Sequence, residues 1–226
     1  MKDIRIITGR TTRLDLDRTV RLLGCRPGSD VWEQTRNDIV ERMPVLRRLI
    51  RPKGAFVIEE DEGKTWIYAM MTLGRAVTEY TDRLREDGDT PAALILNAMA
   101  DSSLFSFEEE LQQALRSFCR EKGCGISRRY EIGTDLPLLW QQRAYDGLAA
   151  GRTLGLKMTA DYMLVPEKSM SLAFLVSTDP AVFHAGHDCR MCHHTNCCLR
   201  QQPYGESQKS PASPAFQEYT FWPESG

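Results

Sequence analysis

The chain lacks the features that mark membrane proteins, exported proteins and nucleic-acid-binding proteins. Its most apolar runs, such as residues 171–176, are far too short to span a bilayer, and residues 1–5 do not begin the long apolar region of a signal peptide. The formal charge of the 226 residues is only −2, which gives no electrostatic reason for binding to a nucleic acid or an anionic membrane. We therefore expect a cytoplasmic protein with neither of these partners.

Common catalytic motifs are absent as well. The sequence contains no glycine-rich phosphate-binding loop, no serine-centred nucleophile elbow and no His-Glu-x-x-His pair. The usual sequence evidence for a nucleotide hydrolase, an α/β-hydrolase or a zinc protease is therefore missing. An apolar content of 42% is ordinary for a globular protein, and the length allows a sizeable core.

Cysteine is present in an odd number, seven, in a chain without an export signal. This argues against a disulfide framework and for reduced thiols. Cys25, Cys119 and Cys124 lie apart from the others, and we interpret them as small, buried apolar side chains. The remaining four cysteines and all four histidines fall between His184 and Cys198. This cluster is the strongest chemical signal in the sequence.

Thiolates and imidazoles are the ligands of zinc, iron and iron–sulfur clusters, and the gap between Cys189 and Cys192 lets one turn of backbone direct both sulfurs at one metal. Three interpretations stay open. An iron–sulfur cluster would be held by Cys189, Cys192 and Cys197, with a fourth ligand from a histidine or another chain. Cys198 is a further candidate for that fourth position. In the second interpretation, a structural zinc ion is held by three cysteines and one histidine. In the third, the segment binds no metal.

Apolar periodicity gives the order of elements. It predicts strands at 3–8, 55–58, 66–69, 154–158, 162–165 and 170–177, and helices near 14–23, 30–49, 71–86, 90–121 and 138–150. Pro44 is expected to kink or split its helix, and a break near 101–103 is left open. We interpret the charged run 108–110 as solvated helix surface, and Arg128 and Arg129 as surface-paired residues at a glycine-rich turn. Helices predominate in the early part of the chain and strands in the late part, and this order favours an α+β fold over a doubly wound sheet.

The composition changes sharply after Arg200, where four prolines and many Ser, Gln and Glu residues follow without an apolar period. Such a segment cannot bury enough apolar surface to order itself. We therefore predict three parts: one domain over 1–183, a Cys/His metal-binding segment over 184–200, and a flexible tail over 201–226.

Residues 156–171 carry the most specific motif of the chain, with an apolar stretch between two groups of small polar residues. Thr159, Met163, Pro166, Ser169 and Ser171 stand where the reactivation domain of cobalamin-dependent methionine synthase has matching residues. The segment resembles that family, and more closely its small stand-alone relatives. An Asp-Leu-Pro sequence before a helix, at 135–137, also resembles the family. A Cys-x2-Cys-x4-Cys-x2-Arg run near the end is similar to one in the stand-alone relatives that the methionine synthase domain lacks.

The resemblance implies a C-shaped α+β fold in which helices pack on an antiparallel sheet, and a shallow site for S-adenosylmethionine. By the resemblance, the cofactor-binding residues are Arg128, Gly133 and Tyr162. The family signature, similar to Arg-x-x-x-Gly-Tyr, is altered here, because its last two positions fall on Ile132 and Gly133. Ile132 places a β-branched side chain where the family signature has a glycine, which has no side chain.

The sequence has no Asp-x-His-x-x-Gly motif, the pattern by which many corrinoid proteins supply a histidine to cobalt. We therefore expect the cobalamin on a partner, either a corrinoid protein or a cobalamin-dependent methyltransferase. The resemblance implies an accessory protein that reactivates or remethylates the cobalt of a partner such as methionine synthase, with S-adenosylmethionine as a cofactor. Whether the chain is itself an enzyme, a methyltransferase related to methionine synthase, stays open.

Two alternatives also stay open. One is a non-catalytic docking protein for a corrinoid partner, in which the metal is a structural zinc ion held by three of the cysteines and one histidine instead of an iron–sulfur cluster. The other is an accessory protein that senses redox state through the thiols of Cys189 and Cys192.

Overall fold

The computed structural model describes residues 2–9, 14–61, 63–192, 194 and 196–205. By its internal contacts the chain divides into two compact units, residues 1–187 and residues 188–226. Most of the tail expected over 201–226 lies outside the described residues. The first unit contains all of the helices and strands given below.

The described residues of the first unit form seven strands and six helices. The strands are β1 (Arg5–Thr8), β2 (Lys53–Asp61), β3 (Lys64–Thr72), β4 (Gly125–Glu131), β5 (Lys157–Met158), β6 (Leu164–Val165) and β7 (Ser169–Ser177). The helices are α1 (Leu16–Leu22), α2 (Val31–Leu49), α3 (Ala76–Glu86), α4 (Thr90–Lys122), α5 (Trp140–Gly147) and α6 (Ala150–Leu154). No helix of the described chain is both long enough and apolar enough to cross a membrane.

Five of the strands make one sheet in the order β1-β2-β3-β7-β4, and every neighbouring pair is antiparallel. The two short strands β5 and β6 pair separately. Helices cover the sheet on both faces, so the expected α+β class with helices packed on an antiparallel sheet is confirmed.

Strand β3 shows why the sheet has helices on both sides. Trp66, Tyr68 and Met70 face a core that includes residues of α5 and α6, whereas the alternate residues Ile67 and Met71 face the larger core formed with α1 to α4. All five side chains are buried. Because side chains alternate between the faces of a strand, an almost continuous apolar run indicates burial on both faces.

The structure departs from the prediction in several places. Helix α2 runs through Pro44 without a split, and residues 150–154, at whose end a strand was expected to begin, form helix α6. Arg128 and Arg129, expected at a glycine-rich turn, lie in the edge strand β4, which pairs with β7. The helix expected from residue 71 begins at Ala76, because β3 continues through Thr72 in its pairing with β2. Helix α4 is unbroken at 101–103, where Ser102 is buried and donates a 3.2 Å hydrogen bond to the carbonyl of Asp15.

Candidate functional site

A groove of about 690 Å³ lies in the first unit beside the sheet. Strand β4 pairs with β7 only as far as the pair Glu131 and Leu172, whereas β7 begins at Ser169. Residues 169–171 therefore extend past the end of β4 and form one wall of the groove. The other walls come from the start of α3, from α4, from the turn after β4, from α5, and from residues 163–167.

The turn after β4 depends on Gly133, whose φ of +92° lies in the left-handed region. Its amide donates to the carbonyl of Leu136 at 2.8 Å, and the carboxylate of Asp135 accepts a 2.8 Å hydrogen bond from the amide of Glu131. These bonds place Ile132 and Thr134, the neighbours of Gly133, on the groove wall. The left-handed backbone conformation of Gly133 therefore determines where these two residues of the wall lie.

The loop before β6 is fixed by a buried glutamine. Gln141 of α5 donates from Nε2 to the carbonyl of Tyr162 at 2.6 Å, and its Oε1 accepts a hydrogen bond from the hydroxyl of Ser171. Tyr162 has a φ of +62°, which is unusual for a residue other than glycine. An irregular backbone held in this way is often part of a functional site.

Large apolar side chains from this loop, from β6 and from the residue before α5 are exposed to solvent. Leu139, Tyr162, Met163 and Val165 are all exposed, and we call this set the apolar rim. Met163 and Val165 also line the groove itself. Exposed apolar side chains beside a cavity are typical of a site for a ligand or a partner protein.

A network of mostly buried charged side chains adjoins the groove through Glu131. Arg129 of β4 donates to both carboxylate oxygens of Glu108 on α4, at 2.8 and 3.2 Å, and to Glu131 at 2.8 Å. The side chains of Arg129 and Glu108 are only 4% and 8% exposed. Glu131 lines the groove, and a hydrogen bond from His187 together with the charge of Arg129 lowers the pKa of Glu131 to about 2. The expectation of solvated surface at Glu108 and surface pairing at Arg129 is therefore wrong.

The structure does not bring the three expected cofactor-binding residues together at the groove. The guanidinium of Arg128 lies 4.6 Å from the ring centroid of Tyr130, a cation–π contact, and is not part of the groove wall. Gly133 and Tyr162 belong to the two loops that border the groove, and each is next to residues of its wall. Their roles in cofactor binding stay predictions.

The cysteine segment belongs to the second unit and is organised by Arg200. Its guanidinium donates to the carbonyls of Cys189, Cys192 and His194, the last two at 2.7 and 2.8 Å. Cys192 is buried, whereas Cys197 is exposed. Among the described residues of the chain, no three His, Cys, Asp or Glu side chains are grouped so that they could hold a metal ion.

The iron–sulfur cluster and the zinc site are therefore not supported by the geometry of the described residues, and both stay predictions. Cys198 is exposed. His193, one of the candidate histidines, lies outside the described residues.

Of three comparisons with known proteins, only the one with solved structures finds a similarity. No family model matches the sequence, and no curated protein matches it either. Among solved structures, the chain is similar to a crystal structure of the MetH reactivation domain bound to AdoHcy, with a TM-score of 0.64 and 14% sequence identity. The match covers 77% of this chain and 78% of that one. At this identity the likeness shows a shared fold.

Proposed function

We propose that the protein assists a partner that carries cobalamin, by reactivating or remethylating the partner's cobalt with S-adenosylmethionine as methyl donor. The observation that carries this proposal is the groove beside residues 169–171, in a fold shared with a reactivation domain that is bound to S-adenosylhomocysteine. The sequence resemblance around residues 156–171 supports the same family.

The groove offers the surfaces that an adenosyl ligand needs. Ile132, Leu138 and Pro166 supply apolar contacts for a flat base, and the hydroxyls of Thr134 and Ser169 supply polar ones. Small-molecule sites usually combine a mostly apolar wall with a few placed polar groups. The apolar rim extends this surface to solvent, where a bulky cofactor on a partner protein can approach the ligand.

In the proposed reaction a separate one-electron reductant, whose part titanium(III) citrate takes in the test below, first reduces Co(II) of the partner's cobalamin to Co(I). The Co(I) centre then attacks the methyl carbon of the sulfonium, the carbon–sulfur bond breaks with its electron pair on sulfur, and methyl-Co(III) and S-adenosylhomocysteine result. The chain's own residues would bind the donor and orient its methyl group, which is catalysis by positioning.

Ligand binding is the first test. We expect isothermal titration of the full chain to give a dissociation constant below about 1 mM for S-adenosylmethionine. Met163→Arg puts a long cation at the groove mouth and should weaken binding by about tenfold or more, because a charge and a clash replace an apolar contact. The matched control is Leu94→Arg, since Leu94 is exposed to a similar extent, 53% against 57%, and does not line the groove.

The result that overturns the proposal is the absence of binding for both S-adenosylmethionine and S-adenosylhomocysteine to the unmodified chain. The docking alternative, a protein that contacts a corrinoid partner without a ligand of its own, would then be favoured. If binding is found, remethylation is followed from the absorption of methylcobalamin in a mixture of cob(II)alamin, S-adenosylmethionine and titanium(III) citrate as reductant. We expect the full chain to accelerate this reaction, and the Met163→Arg variant to do so less.

A further inference from the structure

Helix α4 ends in a turn that brings two cysteines together. Gly123, the residue after the helix, has a φ of +65°, and its amide donates to the carbonyl of Arg120 at 3.3 Å. The amide of Cys124 donates to the carbonyl of Cys119 at 3.0 Å. A left-handed glycine with this pair of hydrogen bonds is a Schellman motif, in which the side chains at the two ends of the longer bond frequently contact each other. Those two side chains are Cys119 and Cys124.

Both thiols are free and lie against the same apolar core. Cys119 is only 2% exposed, whereas Cys124 is half-buried. Burial, and next the charge and a hydrogen bond of Cys124, raise the pKa of Cys119 to about 12. The turn therefore holds two sulfurs as neighbours, and one of the two is within reach of solvent.

We propose that Cys119 and Cys124 are a reversible thiol–disulfide pair, a modification site separate from the cysteine segment near the end of the chain. The thiolate of Cys124 first attacks one sulfur of a low-molecular-weight disulfide, and a small thiolate leaves. The thiolate of Cys119 then attacks the sulfur of Cys124, and the second small thiolate leaves. Two protein thiols are thereby oxidised to a disulfide, the small disulfide is reduced to two thiols, and the two cysteine protons end on those thiols.

The burial of Cys119 does not prevent this reaction. Buried cysteines are usually inert because reagents cannot reach them. Here the reagent reaches Cys124, and the second step occurs between two sulfurs that the turn already places together. Because a thiol of high pKa is seldom ionised at neutral pH, formation of the bond is slow there and becomes faster as the pH rises.

The disulfide would join the last turn of α4 to the residue before β4. These two elements carry the buried ion pair of Glu108 and Arg129, and β4 is an edge strand that pairs with β7. A covalent link at its start restrains local opening of β4 and also restricts the unfolded chain. Neither cysteine lines the groove, so the proposal does not depend on the ligand that the groove binds.

Peptide mapping after oxidation tests the bond. The full chain is incubated with glutathione disulfide, the remaining thiols are alkylated, and the protein is digested with trypsin without reduction. Trypsin cuts after Arg120 and Lys122, so the two cysteines fall in separate peptides, residues 117–120 and 123–128. We expect mass spectrometry to find these two peptides linked, and dithiothreitol to separate them.

The matched control is Cys25→Ser, since Cys25 is a half-buried free cysteine of the same unit, with its sulfur 3.7 Å from the hydroxyl oxygen of Thr35. This variant should keep the linked peptides, whereas Cys124→Ser should lose them. Because the unmodified chain carries the main measurement, the test does not depend on how well a variant folds.

Two further measurements show what the bond does to the fold. Oxidation should raise the urea midpoint of the unmodified chain by about 0.5 M or more. It should also slow hydrogen exchange of the amides of residues 125–131. Glutathione disulfide should have neither effect on the Cys124→Ser variant, which separates this pair from the cysteines near the end of the chain.

Three results contradict the proposal. In the first, neither thiol reacts with glutathione disulfide across the pH range in which the protein is folded. In the second, Cys124 keeps a mixed disulfide with glutathione while Cys119 is still alkylated after unfolding. In the third, the linked peptides form but the urea midpoint falls, which would mean that the native turn does not hold the sulfurs in a geometry suited to the bond.

Discussion

Gly125, at the start of β4, shows how a single residue can fix the packing of two chain segments. Residues 179–184 run alongside the beginning of this strand: the amide of Ile126 donates to the carbonyl of Val182 at 2.9 Å, and the amide of His184 donates back to Ile126 at 2.8 Å. A Cβ atom at position 125 would overlap the carbonyl oxygens of Asp179 and Val182. Glycine is therefore required here for close approach of two backbones.

We expect Gly125→Ala to lower the free energy of unfolding by at least about 2 kcal/mol, because backbone atoms rather than flexible side chains would have to move. The matched control is Gly186→Ala, since a Cβ there would have no neighbour within 4 Å. That change should stay within about 0.5 kcal/mol. Urea unfolding followed by circular dichroism measures both, and equal effects of the two substitutions would contradict the close approach at Gly125.

Tyr68 illustrates how burial changes the chemistry of one side chain. The residue is 1% exposed, and its hydroxyl donates to the carboxylate of Asp61 at 3.2 Å. Burial, and next the negative charge of Asp61, raise the pKa of Tyr68 far above its usual value of 10.0. The folded protein therefore keeps this phenol neutral at a pH where the unfolded chain ionises it.

Tyr68 consequently makes stability depend on pH at the alkaline end. Its contribution is complete below pH 10, the value for the unfolded chain, and declines as the pH rises above that value. We expect Tyr68→Phe to be less stable than the unmodified protein at pH 8, by about 1 kcal/mol for the lost hydrogen bond. At pH 11 this difference should change by about 1.4 kcal/mol in favour of the phenylalanine variant and so reverse its sign, because only the unmodified chain gains free energy from ionisation on unfolding. Urea unfolding at both pH values measures this, and an unchanged difference would show that Tyr68 ionises in the folded state.

At the scale of elements, the sequence predicts those whose signals are local. The helix expected over 90–121 is α4, because Asp89 before it and Gly123 after it are both visible as cap residues in the sequence. The sequence signals that predict the hairpin of β2 and β3 are equally local. Strand β4 was missed because Arg128 and Arg129 interrupt its apolar alternation.

What stabilises β4 is not local. The charge of Arg129 is compensated by Glu108, which is 21 residues earlier in the chain. This contact depends on how α4 packs against the sheet, and no spacing rule reveals it. The family resemblance pointed to residues 133 and 162, whose loops border the groove, whereas neither the resemblance nor a spacing rule indicated Glu131 and its buried partners.

The cap of α4 gives a prediction for a whole element. The side chain of Asp89 accepts a 3.2 Å hydrogen bond from the amide of Ala92, one of the amides that the first turn leaves without a partner. We expect Asp89→Ala to cost about 1 kcal/mol of stability, and Asp89→Asn to cost less because the acceptor is kept. Asp30, at the start of α2, makes no such capping bond, so Asp30→Ala is the matched control with a smaller effect. Equal losses for the two alanine variants in urea unfolding would indicate a general charge effect instead of a cap.

At the scale of the whole first unit, two apolar cores share one sheet. Alternate residues of β3 enter the two cores, and β2 and β7 contribute to both in the same way. A strand cannot keep one face packed while the other loses its partners, because both faces depend on the same backbone. The two cores are therefore expected to unfold in a single cooperative transition.

This coupling can be tested by damaging one core and observing the other. Trp66 and Trp140 both pack in the core with α5 and α6, so replacing Trp32 and Trp222 with Phe leaves fluorescence that reports on that core alone. In this background Leu111→Ala removes a fully buried side chain of α4 in the opposite core and should cost about 2–5 kcal/mol. We expect Leu111→Ala to lower the urea midpoint measured by fluorescence together with the midpoint measured by far-UV circular dichroism. The control is Leu94→Ala, at an exposed position of the same helix, which should leave both midpoints nearly unchanged. A fluorescence midpoint that stays in place while the dichroism midpoint falls would mean that the two cores unfold independently.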